Sequence, residues 1–161
     1  MPKKSSLSKK ISNKITEKGS PSRSELLRIV TKTFVNHAKL KSCTFADSNG
    51  LILAEENSSL LPDEKMSAAS ALAIEFCNRF GDLFEMRNMS YTYLHSPNTH
   101  VWIKTISLRD TGEKFILLIS KRASFMDHLS RNFLRLLGRK RKHIPDLLNE
   151  ASIWLKDIME E

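Results

Sequence analysis

The sequence predicts an α+β domain in which helices cover both faces of an antiparallel sheet. Asn49 and Gly50 separate two strand-like runs, and both residues tolerate the positive φ that a tight hairpin requires. Three further strand-like runs follow one another with turn signals between them. Residues 115–119 are continuously apolar, which indicates a strand that is covered on both faces.

With 161 residues, the chain has room for one domain with a sizeable core and short extensions. Its first residues lack the apolar run of a signal peptide, and no segment is apolar over about eighteen residues, the length of a membrane span. We therefore expect a cytoplasmic protein. Cys43 and Cys77 fall in a predicted strand and a predicted helix, and are expected to be buried thiols.

The net charge of +8 is concentrated in two segments. Residues 1–23 hold seven basic residues against one acid, and residues 121–143 hold eight against one. The rest of the chain is therefore acidic in sum. A charge distributed in this way marks local surfaces for anionic partners and does not describe the whole domain.

Residues 1–21 predict a basic disordered tail, because a segment of lysines and serines that closes with Gly19-Ser20-Pro21 buries too little apolar surface to offset its ordering entropy. Leu7, Ile11 and Ile15 recur every four residues in this tail. They would form one apolar stripe if the tail became helical on a membrane surface or an acidic partner.

A first helix is predicted to begin at Ser22, because Ser22 and Glu25 have the spacing of a capping box. One face of that helix is apolar at helical spacing. Its apolar residues are Leu26, Leu27, Val30, Phe34 and Ala38.

A second helix is predicted from Pro62 and Asp63 to about Phe80, with Gly81 ending it. Two adjacent apolar stripes run along it, which is more apolar circumference than a monomer requires. The first stripe holds Met66, Ala69, Ala73, Phe76, Cys77 and Phe80, and the second holds Ala68, Ala71 and Leu72.

Strands are predicted over residues 91–96, 100–108 and 114–120, and a third helix over 125–137, ending near Gly138. Residues 139–161 read as a basic linker followed by an acidic amphipathic C-terminal helix, so the domain proper is assigned to residues 22–138. The apolar stripe of the last helix consists of Leu147, Leu148, Ala151, Trp154, Leu155 and Ile158.

Sequence motifs for chemistry are missing. The chain has neither a GxxxxGK[ST] phosphate loop nor a GxSxG nucleophile elbow, and its histidines are scattered singly. We therefore predict no catalytic residue, no cofactor and no metal site. The basic run Arg139, Lys140, Arg141 and Lys142 allows two interpretations: cations that complement a helix dipole, or contacts to an anionic partner.

The order helix, two-stranded hairpin, helix, three-stranded meander, helix resembles the roadblock and dynein light chain family. The resemblance covers residues 22–138, and its local signs are the hairpin at residues 44–54 and the Ala-rich helix at 66–80. It implies a three-layer α/β/α sandwich with a five-stranded antiparallel sheet in the order 2-1-5-4-3. The first and third helices would lie on one face and the second on the other.

The resemblance also implies a homodimer, or a heterodimer with another roadblock-like chain, formed by pairing third strands and packing second helices. That pairing would occupy an edge strand whose backbone groups are otherwise unpaired. The interface residues implied here are Ala68, Ala71, Leu72, Glu75, Tyr91, Thr92, Tyr93 and Leu94.

Roadblock-like proteins commonly act as non-catalytic platforms for Ras-like small GTPases or for trafficking and motor assemblies. The leading hypothesis is accordingly a dimeric scaffold or regulator without enzymatic activity. The alternative is a binder of an acidic partner, an anionic membrane surface or, less favoured, nucleic acid, acting through residues 1–23 and the basic run. An enzyme with an unrecognised motif is a third interpretation.

Overall fold

The computed structural model describes residues 6–57, 63–85, 91–123 and 144–160. The five strands form one sheet in the order β2-β1-β5-β4-β3, and all neighbours are antiparallel. The predicted sheet and strand order are confirmed. In chain order the elements are α1 (Ser6–Lys18), α2 (Arg23–Ala38), β1 (Ser42–Asp47), β2 (Ile52–Asn57), α3 (Asp63–Leu83), β3 (Thr92–His95), β4 (Thr99–Ser107), β5 (Lys114–Arg122) and α4 (Ile144–Glu160).

The central strand β5 separates two cores, because its five apolar residues alternate between the faces of the sheet. Phe115, Leu117 and Ile119 belong to the larger core, beneath α2 and α4. Ile116 and Leu118 belong to a smaller core beneath α3. Helices therefore cover both faces, as the apolar run at residues 115–119 predicts.

The larger core depends on the apolar face of α2, whose Val30 and Phe34 are fully buried. The capping box that begins this helix is present: Ser22 Oγ accepts from the Glu25 backbone N–H at 3.4 Å, and the Ser22 N–H donates to the Glu25 carboxylate at 3.0 Å. The helix predicted at residues 125–137 lies outside the described residues. The C-terminal helix α4 packs beside α2 and against β4 on this face.

Residues 6–18 are a helix, so the expectation of a disordered tail is wrong for this stretch. Leu7 and Ile11 are fully buried against the larger core, and Trp154 Nε1 of α4 donates to Ser8 Oγ of α1 at 3.4 Å. The composition of the tail is polar, but two aliphatic side chains one turn apart suffice when α2 and α4 offer apolar surface to cover. The predicted domain limits, residues 22–138, stay a prediction.

The prediction that Gly81 ends the second helix is also wrong, because α3 continues through it to Leu83. An isolated glycine inside a helix costs only about 1 kcal/mol relative to alanine. Around it, the Phe80 ring packs at a tilt against Phe76 and Phe84 with centroid distances of 5.0 and 4.6 Å, and the Phe84 N–H donates to the Phe80 carbonyl. The helix ends where Glu85 adopts a left-handed φ of 51°.

Candidate partner interface

The position of α3 on the sheet is set by the tip of the β1–β2 hairpin. Asp47 Oδ1 accepts from the backbone N–H of Asn49 at 2.8 Å and of Leu51 at 2.9 Å, which closes the turn. Gly50 has a φ of 83°, and a Cβ there would lie 2.7 Å from the Ser67 carbonyl oxygen. Ser67 Oγ donates to the Gly50 carbonyl at 2.5 Å, so the hairpin tip is bonded directly to α3.

The inner face of α3 packs on the sheet through a small set of side chains. Ala73, Ile74 and Cys77 are buried against Ile103 and Ile116. Cys77 Sγ also lies 3.6 Å from the hydroxyl of Thr92, the first residue of β3. These contacts hold α3 over the sheet and next to its β3 edge.

The outer face of α3 carries large apolar side chains in the open. Leu72, Phe76, Phe80 and Leu83 are 65%, 41%, 41% and 76% exposed, and we call these four residues the α3 stripe. They repeat at helical spacing and form a continuous row, which the ring contacts among the phenylalanines extend to Phe84. A contiguous exposed apolar surface of this kind is typical of a protein–protein interface.

The edge strand β3 contacts α3 through Thr92 and Cys77, on the inner face of the helix. It pairs with β4 only, so one side of its backbone has no strand neighbour among the described residues. Leu94 lies opposite Val101, a residue of the α3 face, and is itself exposed. An open strand edge and an exposed apolar helix face therefore belong to two elements that are in contact with each other.

The structure divides the eight residues predicted for the interface. Leu72, Ala68 and Glu75 are exposed on α3, whereas Ala71 is half-buried and lies at the Gly50 turn. In or just before β3, Tyr91, Tyr93 and Leu94 are exposed and Thr92 is half-buried.

Phe76 and Phe80 are not among the residues predicted for the interface, but both are 41% exposed in the outward row. The available signal was their four-residue spacing from Leu72, which places all three on one helix face. Because α3 is apolar around most of its circumference, that spacing did not identify the side that faces the sheet.

An aromatic and histidine cluster lies on the other face of the same edge. Tyr93 Oη lies 2.5 Å from His100 Nδ1, His95 Nδ1 lies 3.1 Å from the same atom, and the Tyr93 and Trp102 rings are 5.1 Å apart. Cross-strand pairing of His95 with His100 creates this contact. His95 and His100, which stand apart in the sequence, are therefore neighbours in the fold, because sequence distance does not reveal strand register.

The pKa values of Cys43 and Glu160 are shifted by their surroundings. Burial raises the pKa of the Cys43 thiol far above its usual range, which makes it an unreactive core residue. The backbone N–H of Arg109 lowers the pKa of the Glu160 carboxyl, to whose Oε1 it donates at 3.0 Å.

Within the described ranges, no group of three or more His, Cys, Asp or Glu side chains is placed to hold a metal ion. Over the same residues, no helix is long and apolar enough to cross a membrane. The basic run Arg139, Lys140, Arg141 and Lys142 lies outside the described residues, so its role stays a prediction.

No protein-family model matches the sequence, and no curated protein matches it significantly. Solved structures do match. MglB of Myxococcus xanthus superposes with a TM-score of 0.63 at 12% identity, over 87% of this chain and 92% of that one. The gliding protein MglB of Thermus thermophilus gives 0.61 at 14% identity, over 87% and 93%.

A Roadblock/LC7 domain of Streptomyces avermitilis gives a TM-score of 0.50 at 13% identity, over 83% of this chain and 94% of that one. The chain has a roadblock-type fold. Identities this low show the fold alone, and the surfaces of this roadblock-type domain must be interpreted from its own residues.

Proposed function

We propose that this roadblock-type domain is a non-catalytic scaffold or regulator that forms a dimer through the α3 stripe and the β3 edge and binds a Ras-like small GTPase. The observation that carries the proposal is the adjacency of an open strand edge and an exposed apolar helix face. Either feature alone is a liability for a protein in water. Together they fit a partner that offers the same two features.

A dimer with its two-fold axis beside β3 would cover both the open strand edge and the α3 stripe. Pairing β3 with a second β3 continues the sheet across the axis and supplies the missing backbone partners. The same operation brings two α3 stripes together, where full burial of each leucine or phenylalanine contributes about 1.5–3 kcal/mol. Leu94, on the α3 face of the strand, would lie between the helix contact and the strand contact.

The dimer is tested by measuring mass in solution with light scattering across a concentration series. Leu72→Glu places a charge in the centre of the α3 stripe and is expected to give a monomer. Ile153→Glu is the matched control, because Ile153 is a comparably exposed aliphatic residue on α4, in the layer across the sheet. It is expected to leave the mass unchanged.

If wild type and the Leu72→Glu variant have the same mass, the α3 stripe is not the interface. A heterodimer is distinguished by mixing with the native partner chain, which wild type and the Ile153→Glu variant should bind and the Leu72→Glu variant should not.

The proposed GTPase partner is supported by the roadblock-type fold, since proteins of this kind commonly bind Ras-like GTPases. The purified chain should not hydrolyse GTP. A tagged chain purified from its native cells should recover a small GTPase, whose nucleotide hydrolysis or exchange is then measured with and without the chain. GTP hydrolysis by the chain alone would refute the non-catalytic assignment.

A further inference from the structure

A polar groove lies between α1 and α2, on the opposite side of the sheet from the α3 stripe. The buried side chains of Leu7 and Ile11 fix α1 against the core, and the groove opens beside this apolar seam. Its volume is about 350 Å³, which is near the lower limit of ligand pockets in proteins. It therefore suits a small charged group better than a large organic ligand.

The lining of the groove is rich in hydrogen-bond donors. Lys10, Asn13 and Lys14 enter it from α1, and Thr33 and His37 from α2. Among the described residues of the lining, Glu17 contributes the one carboxylate, and its charge is outweighed by the two lysines. A groove with this balance favours an anion.

Thr33 supplies an independent sign of a missing ligand. Thr33 is 3% exposed, yet its hydroxyl has no hydrogen-bond partner among the residues that the structure describes. The neighbouring Thr31 shows the usual solution, because its hydroxyl donates to backbone carbonyls of its own helix. A buried hydroxyl without a partner is costly, and Thr33 is one of the residues that line the groove, so an oxygen bound at its base would supply the acceptor.

Lys10 is already directed into this region. Its Nζ lies 3.3 Å from His37 Nδ1, while His37 Nε2 lies 3.2 Å from Ser6 Oγ. An ammonium can only donate, so the imidazole accepts at Nδ1 and donates to the serine from Nε2. The Lys10 ammonium is thus hydrogen-bonded to another residue that lines the same groove.

We propose that the α1–α2 groove binds a phosphate group, carried by a small solute or by a lipid head group. Lys10 and Lys14 supply the charge, and the Thr33 hydroxyl donates to a phosphate oxygen. Phosphate fits better than a carboxylate because its several acceptor oxygens match donors that come from two helices. The site is independent of the proposed dimer, so each proposal can fail without the other.

Binding is measured in two arms, both at low ionic strength. The first arm titrates inorganic phosphate by calorimetry and by NMR of the α1 and α2 amides. The second arm measures co-sedimentation with phosphatidylcholine vesicles that contain or lack phosphatidic acid. Saturation in the first arm alone identifies a free phosphate as the ligand source, and binding in the second arm alone identifies a lipid head group.

The double variant Lys10→Gln/Lys14→Gln should weaken binding at least tenfold. Its matched control is Lys9→Gln/Lys32→Gln, which removes the same charge from exposed positions on the same two helices outside the groove. The control should change binding less than threefold. If both double variants lose the same binding affinity, binding reflects general charge attraction, and the proposed site is refuted.

Thr33→Val removes the hydroxyl with little change of shape and should weaken binding about tenfold, whereas Thr33→Ser should restore it. Because the hydroxyl has no partner in the free protein, the valine variant should unfold at the same urea concentration as wild type or a higher one. Undiminished binding by the valine variant, or no binding by wild type in either arm, would overturn the proposal.

Discussion

Gly50→Ala tests whether the hairpin tip fixes α3 in place. Two separate effects are expected at this position. The φ of 83° becomes unfavourable once a Cβ is present. That Cβ would also lie 2.7 Å from the Ser67 carbonyl oxygen and 2.9 Å from the Ala71 Cβ. Neither atom belongs to a flexible side chain, so the hairpin must move away from α3.

The two effects set the expected magnitude. A left-handed residue other than glycine costs about 1–2 kcal/mol, and loss of the hydrogen bond from Ser67 Oγ to the Gly50 carbonyl adds about 1 kcal/mol. With the displaced packing, we expect Gly50→Ala to destabilise the fold by about 2–4 kcal/mol. For a chain of this length, that lowers the melting temperature by roughly 5–15 °C.

Gly112→Ala is the matched control, because Gly112 has a similar φ of 68° but no atom within 4 Å of an added Cβ. This variant should be destabilised only by the cost of the left-handed φ, about 1–2 kcal/mol. Both variants are compared by urea denaturation, followed by circular dichroism and by the fluorescence of Trp102 and Trp154. Equal losses in the two variants would refute the close approach of the hairpin to α3.

Two further predictions concern the first two helices. Ile11→Ala should destabilise the protein by about 2–4 kcal/mol, because Ile11 is fully buried. Ile15→Ala should destabilise it less, because Ile15 is only half-buried. If both variants unfold at the same urea concentration as wild type, α1 is not part of the fold. The backbone N–H of Ser22 and then Lys18 lower the pKa of Glu25, so the stability this carboxylate contributes is present at neutral pH and lost as the pH falls from about 5 towards 3. Glu25→Gln should therefore lose less stability than wild type over that interval, and parallel urea midpoints for the two proteins would contradict the capping role.

Most elements of the fold could be predicted because they have strong local signals. The capping box at Ser22 and the turn at Gly50 are satisfied by neighbouring residues, so a short stretch of sequence contains all the information. The strand order could not be predicted from local signals, and it came from the resemblance to the roadblock family. Pairings such as Phe45 with Leu117 join residues too far apart for periodicity to reveal.

The features that were wrong or missed depend on tertiary contacts. The helix α1 is too polar to be predicted alone and forms because α2 and α4 cover Leu7 and Ile11. Which side of α3 faces the sheet was equally hard to predict from the sequence. Leu72 was among the residues predicted for the interface, whereas Phe76 and Phe80 of the same outward row were not, because both sides of the helix are apolar. The contact of Ser67 with Gly50 decides which side meets the sheet.

The bond from Trp154 to Ser8 joins residues separated by 146 positions, and this has a consequence for the order of folding. During synthesis α1 emerges long before α4, so it cannot reach its final packing until the sheet and α4 are complete. Closing such a distant contact is entropically costly and comes late in folding. The basic helix that bears Lys10 and Lys14 is therefore expected to dock last, which would make the α1–α2 groove a feature of the finished domain only.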